Sequence, residues 1–239
     1  MNSLRFGWQG PNGNRMIKIH CLLGVAVGVM TLAAAPARAA DVASSGTGLY
    51  VSVFAGASFA DDIDTDQESI PYSLSTKAGY LLGGAIGMDV TDAIRIEVEL
   101  SHASWDADSA SLVPTSPPSI TVSATGDITA TFLLANGWFD VENDSLFTPY
   151  LGGGLGVGWA DGDTDIGTAP NGYGPGEMGF AFQIGAGVKM ELSEHVALDL
   201  GYRFKSIQNI DFEDDAGGNI YANGDVNSHN AQLGLTYSF

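Results

Sequence analysis

The chain has 239 residues, 28 acidic and nine basic, a formal charge of −19, 32 glycines and one cysteine. The acidic balance argues against nucleic acid as a partner, because holding phosphates takes clustered Lys and Arg. Charged residues at 15% are too few for a disordered chain or a coiled coil, and the glycine content favours strands and turns in one domain or two small ones.

Residues 1–39 differ from the rest. The stretch MIKIHCLLGVAVGVMTLAAAPARAADV places Lys18 before an apolar run from Cys21 to Ala35, followed by small residues at Ala37 and Ala39. This is the layout of a secretory signal peptide cut after Ala39, and the run is shorter than the roughly 20 residues of a helical span. Residues 1–15 read as an upstream extension, with Met16 as an alternative start. Cleavage removes Arg5, Arg15, Lys18, Arg38 and Cys21, leaving five basic residues against 28 acidic ones. The domain expected over residues 40–239 is then exported without a cysteine, and must be stable with no disulfide.

From Gly48 onward, runs of about ten residues alternate apolar with polar or small positions, the two-residue period of a strand. GYLLGGAIGMDV sets Tyr80, Leu82, Ile86, Met88 and Val90 against Gly79, Gly83, Ala85, Gly87 and Asp89. IRIEVEL sets Ile94, Ile96, Val98 and Leu100 against Arg95, Glu97 and Glu99. GFAFQIGAGVKMEL sets Phe180, Phe182, Ile184 and Val188 against Gln183, Gly185, Gly187, Lys189 and Glu191. VALDLGYRFK sets Leu198, Leu200, Tyr202 and Phe204 against Asp199, Gly201, Arg203 and Lys205. The terminal HNAQLGLTYSF sets Leu233, Leu235, Tyr237 and Phe239 against Gln232, Gly234, Thr236 and Ser238. TPYLGGGLGVGWA turns Leu151, Leu155, Val157 and Trp159 away from its glycines. Two runs have no clean phase: GLYVSVFAGASF, where Phe54 breaks the alternation, and GDITATFLLANGWFDV, which is apolar on both sides. The total is eight strands.

Their connections alternate in length. Short turns fall at 91–93, 142–146 and 193–195, and long polar segments near 60–76, 106–126, 161–178 and 207–225. Short turns on one rim and long loops on the other is the plan of an outer-membrane barrel. A soluble up-and-down barrel also has eight strands, but would turn its apolar face inward around a greasy cavity.

The charges discriminate between the two. All five basic residues after the leader (Lys77, Arg95, Lys189, Arg203 and Lys205) lie on the glycine-bearing phase, which also carries Glu97, Glu99, Glu191 and Asp199. The four long segments hold sixteen acidic residues and no basic one apart from Lys77 at a strand start. Cations gathered opposite carboxylates suit a narrow lumen, where unpaired buried charge is costly. The apolar phase ends in aromatics, with Tyr80, Trp159, Phe180 and Phe204 toward the long segments and Tyr237 and Phe239 toward the other rim. Two such girdles mark membrane interfaces. The expected fold is an all-β, eight-stranded antiparallel up-and-down transmembrane barrel.

The stretches PYLGGGLGVG, VTDAIRIEVELSH and LGLTYSF resemble the OmpA-type outer-membrane β-barrel family, in its branch of single-domain porin-family and opacity-like surface proteins. The resemblance implies a bacterial outer membrane location, lipid and lipopolysaccharide around the wall, and a structural or surface-interaction role with host or environmental ligands at the loops. It also implies that the terminal aromatic strand (Leu233, Leu235, Tyr237, Phe239) is read by the barrel-assembly machinery. The resemblance covers the barrel from about Gly48 to Phe239, so a cell-wall tether is not expected to carry over with it. A filled lumen leaves room for a small or gated conductance at most.

The residues raise two other functions. His102 and Ser104 superficially resemble the His-x-Ser of lipid A deacylases, with Asp106 or Asp108 as orienting carboxylate. The clusters at 61–68, 161–165 and 211–215 are carboxylate-rich, and DGDTDIG echoes a calcium loop, but Gly172 stands where its last glutamate belongs. No zinc spacing or phosphate loop is present, so neither metal nor cofactor is expected. For the leader, the expected outcome is a membrane-derived protein whose first residue by N-terminal sequencing is Ala40.

Overall fold

The computed structural model describes residues 48–65, 72–112, 120–123, 125–141, 143–165, 178–213 and 220–239. The leader, with Met16 and Cys21, lies outside them, as do parts of the acidic segments 61–68 and 211–215 and the Gly172 position.

The described elements are strands: β1 (Leu49–Ala60), β2 (Ile63–Thr65), β3 (Tyr72–Thr76), β4 (Gly79–Thr91), β5 (Ile94–Leu112), β6 (Ile120–Ser123), β7 (Thr125–Asp140), β8 (Phe147–Asp165), β9 (Met178–Glu191), β10 (Val196–Glu213) and β11 (Ile220–Ser238). Eight of them close into an antiparallel cylinder in the order β1-β4-β5-β7-β8-β9-β10-β11. The seam is β11 against β1, from Tyr50↔Ser238 to Ala60↔Ser228. Closure removes the free edges that an open sheet would offer to other chains. The short β2 and β3 hairpin extends the sheet beside the upper end of β5, where β6 also pairs.

Which face is outside is unambiguous. Leu82, Ile86, Val98, Leu155, Leu200 and Leu233 are exposed on the outer wall, whereas Arg95, Glu99, Arg203 and Lys205 are buried within. That excludes the soluble barrel, whose apolar face would be its core. It also resolves the two runs without phase. In β1, Tyr50, Phe54 and Ser58 are buried and Ala55, Ala57 and Phe59 are exposed, so Phe54 points inward with the small residues. The space it occupies is given up by Gly83 of β4, where a Cβ would collide with the Phe54 ring and with Ser101. In β7, Ile128, Phe132, Leu134, Asn136, Trp138 and Asp140 are buried while Leu133, Ala135 and Phe139 face out.

The long segments are a correction. Much of 60–76, 106–126, 161–178 and 207–225 is not loop but the upper part of β5, β7, β8, β10 and β11 together with β2, β3 and β6. The cause is an inversion of polarity, without a change of phase in β5 and β7 and across a register shift between Ile207 and Ile210 in β10. Below, the outward positions are apolar; above, they are acidic, with Asp106, Asp108 and Asp225 exposed. The inward positions change in the opposite sense, and Trp105, Ile128, Ala160, Ile207, Ile210 and Val226 are buried in one apolar cluster with Phe54, Leu81, Phe132 and Leu134. The upper cylinder is therefore built like a water-surrounded barrel and the lower one like a membrane span. Filling the close approach at Phe54 is expected to be costly: Gly83→Val should lower the unfolding free energy by about 1–3 kcal/mol through overpacking, read from urea titration of the folded protein.

Candidate functional site: the barrel interior

Inside the lower half, four strands supply the charges and their neighbours supply the hydrogen bonds. Arg95 of β5 grips Asp140 at the end of β7 through two bonds, Nε to Oδ2 at 2.7 Å and Nη2 to Oδ1 at 2.9 Å. This fork-on-carboxylate geometry is the strongest form of the contact. Lys189 of β9 stands 3.9 Å from the same carboxylate. Higher up, Lys205 of β10 pairs with Glu99 of β5, and both side chains are almost wholly buried. Lys205 Nζ also donates to Ser101 Oγ at 3.0 Å and lies 5.2 Å from the Phe132 ring centroid. The second oxygen of Glu99 accepts from Asn136 at 3.0 Å and Gln183 at 2.8 Å.

Glu97 and Asp199 are held by neutral donors. Tyr50 Oη (2.9 Å), Trp138 Nε1 (2.8 Å) and Asn136 Nδ2 (3.0 Å) all donate to Glu97. Tyr150 Oη donates to Asp199 Oδ1 at 2.8 Å and receives a bond from Arg203 Nη2 at 2.7 Å. Arg203 completes its environment with aromatic faces, its guanidinium carbon 4.1 Å from the Trp138 centroid and 5.1 Å from that of Tyr150. A weakly hydrated, planar cation suits that stacked position better than an ammonium would. The ring is admitted by Gly187, where a Cβ would strike Tyr150.

The structure thus brings together seven of the eight residues read from the sequence as lumen charges. Glu191, the eighth, stands exposed at the short-turn rim, at the mouth of the same interior. Lys77 lies apart, exposed at the opposite rim and 3.8 Å from Asp108. The interior partners that sequence reasoning missed are Tyr50, Asn136, Trp138, Asp140 and Tyr150, whereas Gln183 already stood on the glycine-bearing phase. A signal existed for three of them: Asn136, Trp138 and Asp140 share one phase of β7, and two polar residues there identify the inward side.

The remaining candidates lie on the outer wall. Tyr80 and Phe180 are exposed, Trp159 and Phe204 half-buried, all toward the long segments. Phe182 and Phe204 pack with ring centroids 6.0 Å apart. At the other rim Tyr237 stacks on His195 at 5.9 Å and meets Phe239 edge-on at 5.3 Å. Leu233 and Leu235 are exposed beside them on β11. His102 and Ser104 belong to the outward phase of β5, and His102 Nδ1 lies 2.9 Å from Thr131 Oγ1. His229 Nδ1 lies 2.5 Å from Tyr202 Oη, and its Nε2 reaches Asp61 at 3.3 Å. Among the described residues no His, Cys, Asp and Glu group has metal-holding geometry.

The Lys205–Glu99 pair supplies a sharp energetic test, because stranding one buried charge costs far more than removing both. Lys205→Met alone is expected to destabilise by about 3–5 kcal/mol, and adding Glu99→Gln should recover most of that loss, measured as a double-mutant cycle in denaturant.

The family model described as outer membrane protein beta-barrel domain matches residues 25–239. The outer membrane protein PagN of Salmonella typhimurium strain LT2 is 25% identical over 224 residues, covering 82% of this chain and 92% of its own. Two solved structures share the fold. Neisserial surface protein A superposes with a TM-score of 0.51 at 18% identity, over 81% of this chain and 98% of its own. OprG from Pseudomonas aeruginosa does so with a TM-score of 0.52 at 16% identity, over 81% and 96%. This chain is a member of the outer-membrane β-barrel family, a protein of the bacterial outer membrane.

Proposed function

We propose that the protein is a structural and surface-interaction barrel whose long acidic segments face the exterior and whose filled lumen passes at most small solutes. The observation that carries this reading is the distribution of polarity: an apolar outer wall around an interior of hydrogen-bonded charge. A wall of that kind is stable only against hydrocarbon, and lipid with lipopolysaccharide is its natural surround. The aromatics Tyr80, Trp159, Phe180 and Phe204 form the girdle at one interface, with Tyr237 and Phe239 at the other. Residues 1–39 are the export leader, and the strand ending in Leu233, Leu235, Tyr237 and Phe239 is the signal taken by the assembly machinery.

The exposed carboxylates of the upper wall and the segments between the upper strands are the contact area for a host or environmental ligand. The absence of clustered cations there disfavours polyanions as that ligand. The lumen is occupied by the side chains themselves, as the small interior of an eight-stranded barrel dictates. Catalysis is no part of this reading, in which His102 and Ser104 belong to the outward phase of β5.

Heat-modifiable migration tests the proposal most directly. Protein refolded into detergent micelles is expected to run as a compact band unheated and to shift to its full apparent mass after boiling. Identical migration under both treatments, with no folded fraction by circular dichroism, would overturn the membrane-barrel reading.

A further inference from the structure

The interior is not filled evenly along its axis. At the short-turn rim a cavity of about 80 Å³ opens among Asp89, Lys189, Glu191, Ser193 and Thr236. A second, of about 30 Å³, lies deeper between Ser52, Glu97, Trp138, Arg203 and Gln232. Tyr50, Arg95 and Thr236 line both, so the two are successive parts of one path. A single water occupies on the order of 10–15 Å³ of such space, which makes the path roomy enough for several. Two side chains lining its deeper part carry buried atoms with no protein partner, Arg203 Nε and Gln232 Oε1. One is a donor and the other an acceptor, and a buried polar group of either kind requires a water or an ion.

The path meets Phe54 at its inner end. Beyond it stand Leu81, Trp105, Phe132, Leu134 and Ile207, none more than 1% exposed. These six side chains offer no oxygen that could replace the hydration shell of an ion. The polar groups that face the path are different, because Arg95, Glu97, Glu99, Asp199 and Arg203 offer charges and hydrogen bonds along its wall. The polar groups at the level of this layer are spent on one another: Ser58, four residues beyond Phe54 on β1, donates to Asn230 at 2.6 Å and accepts from Trp105 Nε1 at 3.0 Å, while Lys205, paired with Glu99, donates to Ser101 at 3.0 Å against the Phe132 ring.

We infer that the interior is a blind vestibule for water and small inorganic ions, entered from the short-turn rim and closed toward the long segments by the apolar collar rather than by the charge network. The inference rests on the outer-membrane reading above and assigns the permeability barrier within it to Phe54, Leu81, Trp105, Phe132, Leu134 and Ile207.

The cysteine-free barrel domain makes thiol accessibility a clean test. The single variants T236C and S52C (vestibule) and A107C and A160C (collar) are made in the full chain, folded in detergent and treated with iodoacetamide, the parent chain giving the background. Vestibule thiols are expected to alkylate at least about tenfold faster than collar thiols, which should react only through unfolding, as mass spectrometry will read. Equal rates at all four positions, or protection of all four until unfolding, would overturn the inference. Planar-bilayer recording in KCl adds a second arm. The collar variant F132A/I207A should carry a current that the parent lacks, and the double network variant E99Q/K205M should stay as silent as the parent. A current from the network variant would return the barrier to the ion pairs. Failure of the membrane-barrel reading itself shows separately, as loss of the heat-shifted gel band in the parent chain.

Discussion

Closing a sheet on itself leaves every strand with one face toward the axis and one toward the surroundings, and in this protein that single constraint organises the rest. The β11–β1 seam pairs eleven successive residues, so the backbone groups of the first and last strands are satisfied without an external partner. In hydrocarbon there is no other donor or acceptor to satisfy them. Once the cylinder is closed, the side-chain chemistry of each face is fixed by the medium it meets. Apolar residues outside and charges inside are then two statements of the same boundary condition.

The interior chemistry follows from crowding. Buried charge must be both paired and hydrogen-bonded, and a narrow lumen brings partners from opposite walls within reach. Arg95 of β5 meets Asp140 of β7 on the neighbouring strand, while Lys205 of β10 crosses the lumen to Glu99 of β5. Arg203 shows a different solution, taking a phenol oxygen and two aromatic faces in place of a direct carboxylate contact. Glycines on the same phase supply the volume these large side chains need. Gly87 and Gly187 play this part for Tyr50 and Tyr150, the two phenols that orient Glu97 and Asp199. No covalent cross-link is needed within the barrel, because closure, lipid and these internal contacts hold it.

The sequence was legible where one medium faces each side throughout a run. IRIEVEL and VALDLGYRFK declare their phase because lipid lies on one side and the charged lumen on the other. It was misleading where the media change. HASWDADSA alternates as faithfully as IRIEVEL, yet its apolar members, Ala103, Trp105 and Ala107, point inward and its acidic ones outward. Read as polar composition, such a stretch looks like loop; read as period, it is strand. In β7 both situations occur in one element. Leu133 and Phe139 face lipid while Phe132 and Leu134 belong to the internal cluster, and apolar residues therefore occupy both phases. Phe54 was obscure for a related reason: its inward position depends on Gly83 of another strand, which no local pattern reveals. The cross-lumen partners are of the same kind, since only the closed register brings Gln183 to Glu99 or Tyr150 to Arg203.

The inversion of polarity also explains why the collar exists at all. Strands that rise beyond the lipid lose the hydrocarbon that stabilised their outer apolar face, and acidic residues replace it there because water now surrounds them. Those upper strands still need an apolar face to bury if they are to stay folded, and the only one left is the axis. Trp105, Ile128, Ile207, Ile210 and Val226 converge there for the same reason that the core of any water-surrounded barrel is apolar. A dry layer across the lumen is then the direct consequence of carrying the barrel wall above the membrane. The charged half below it can remain wet without making a hole.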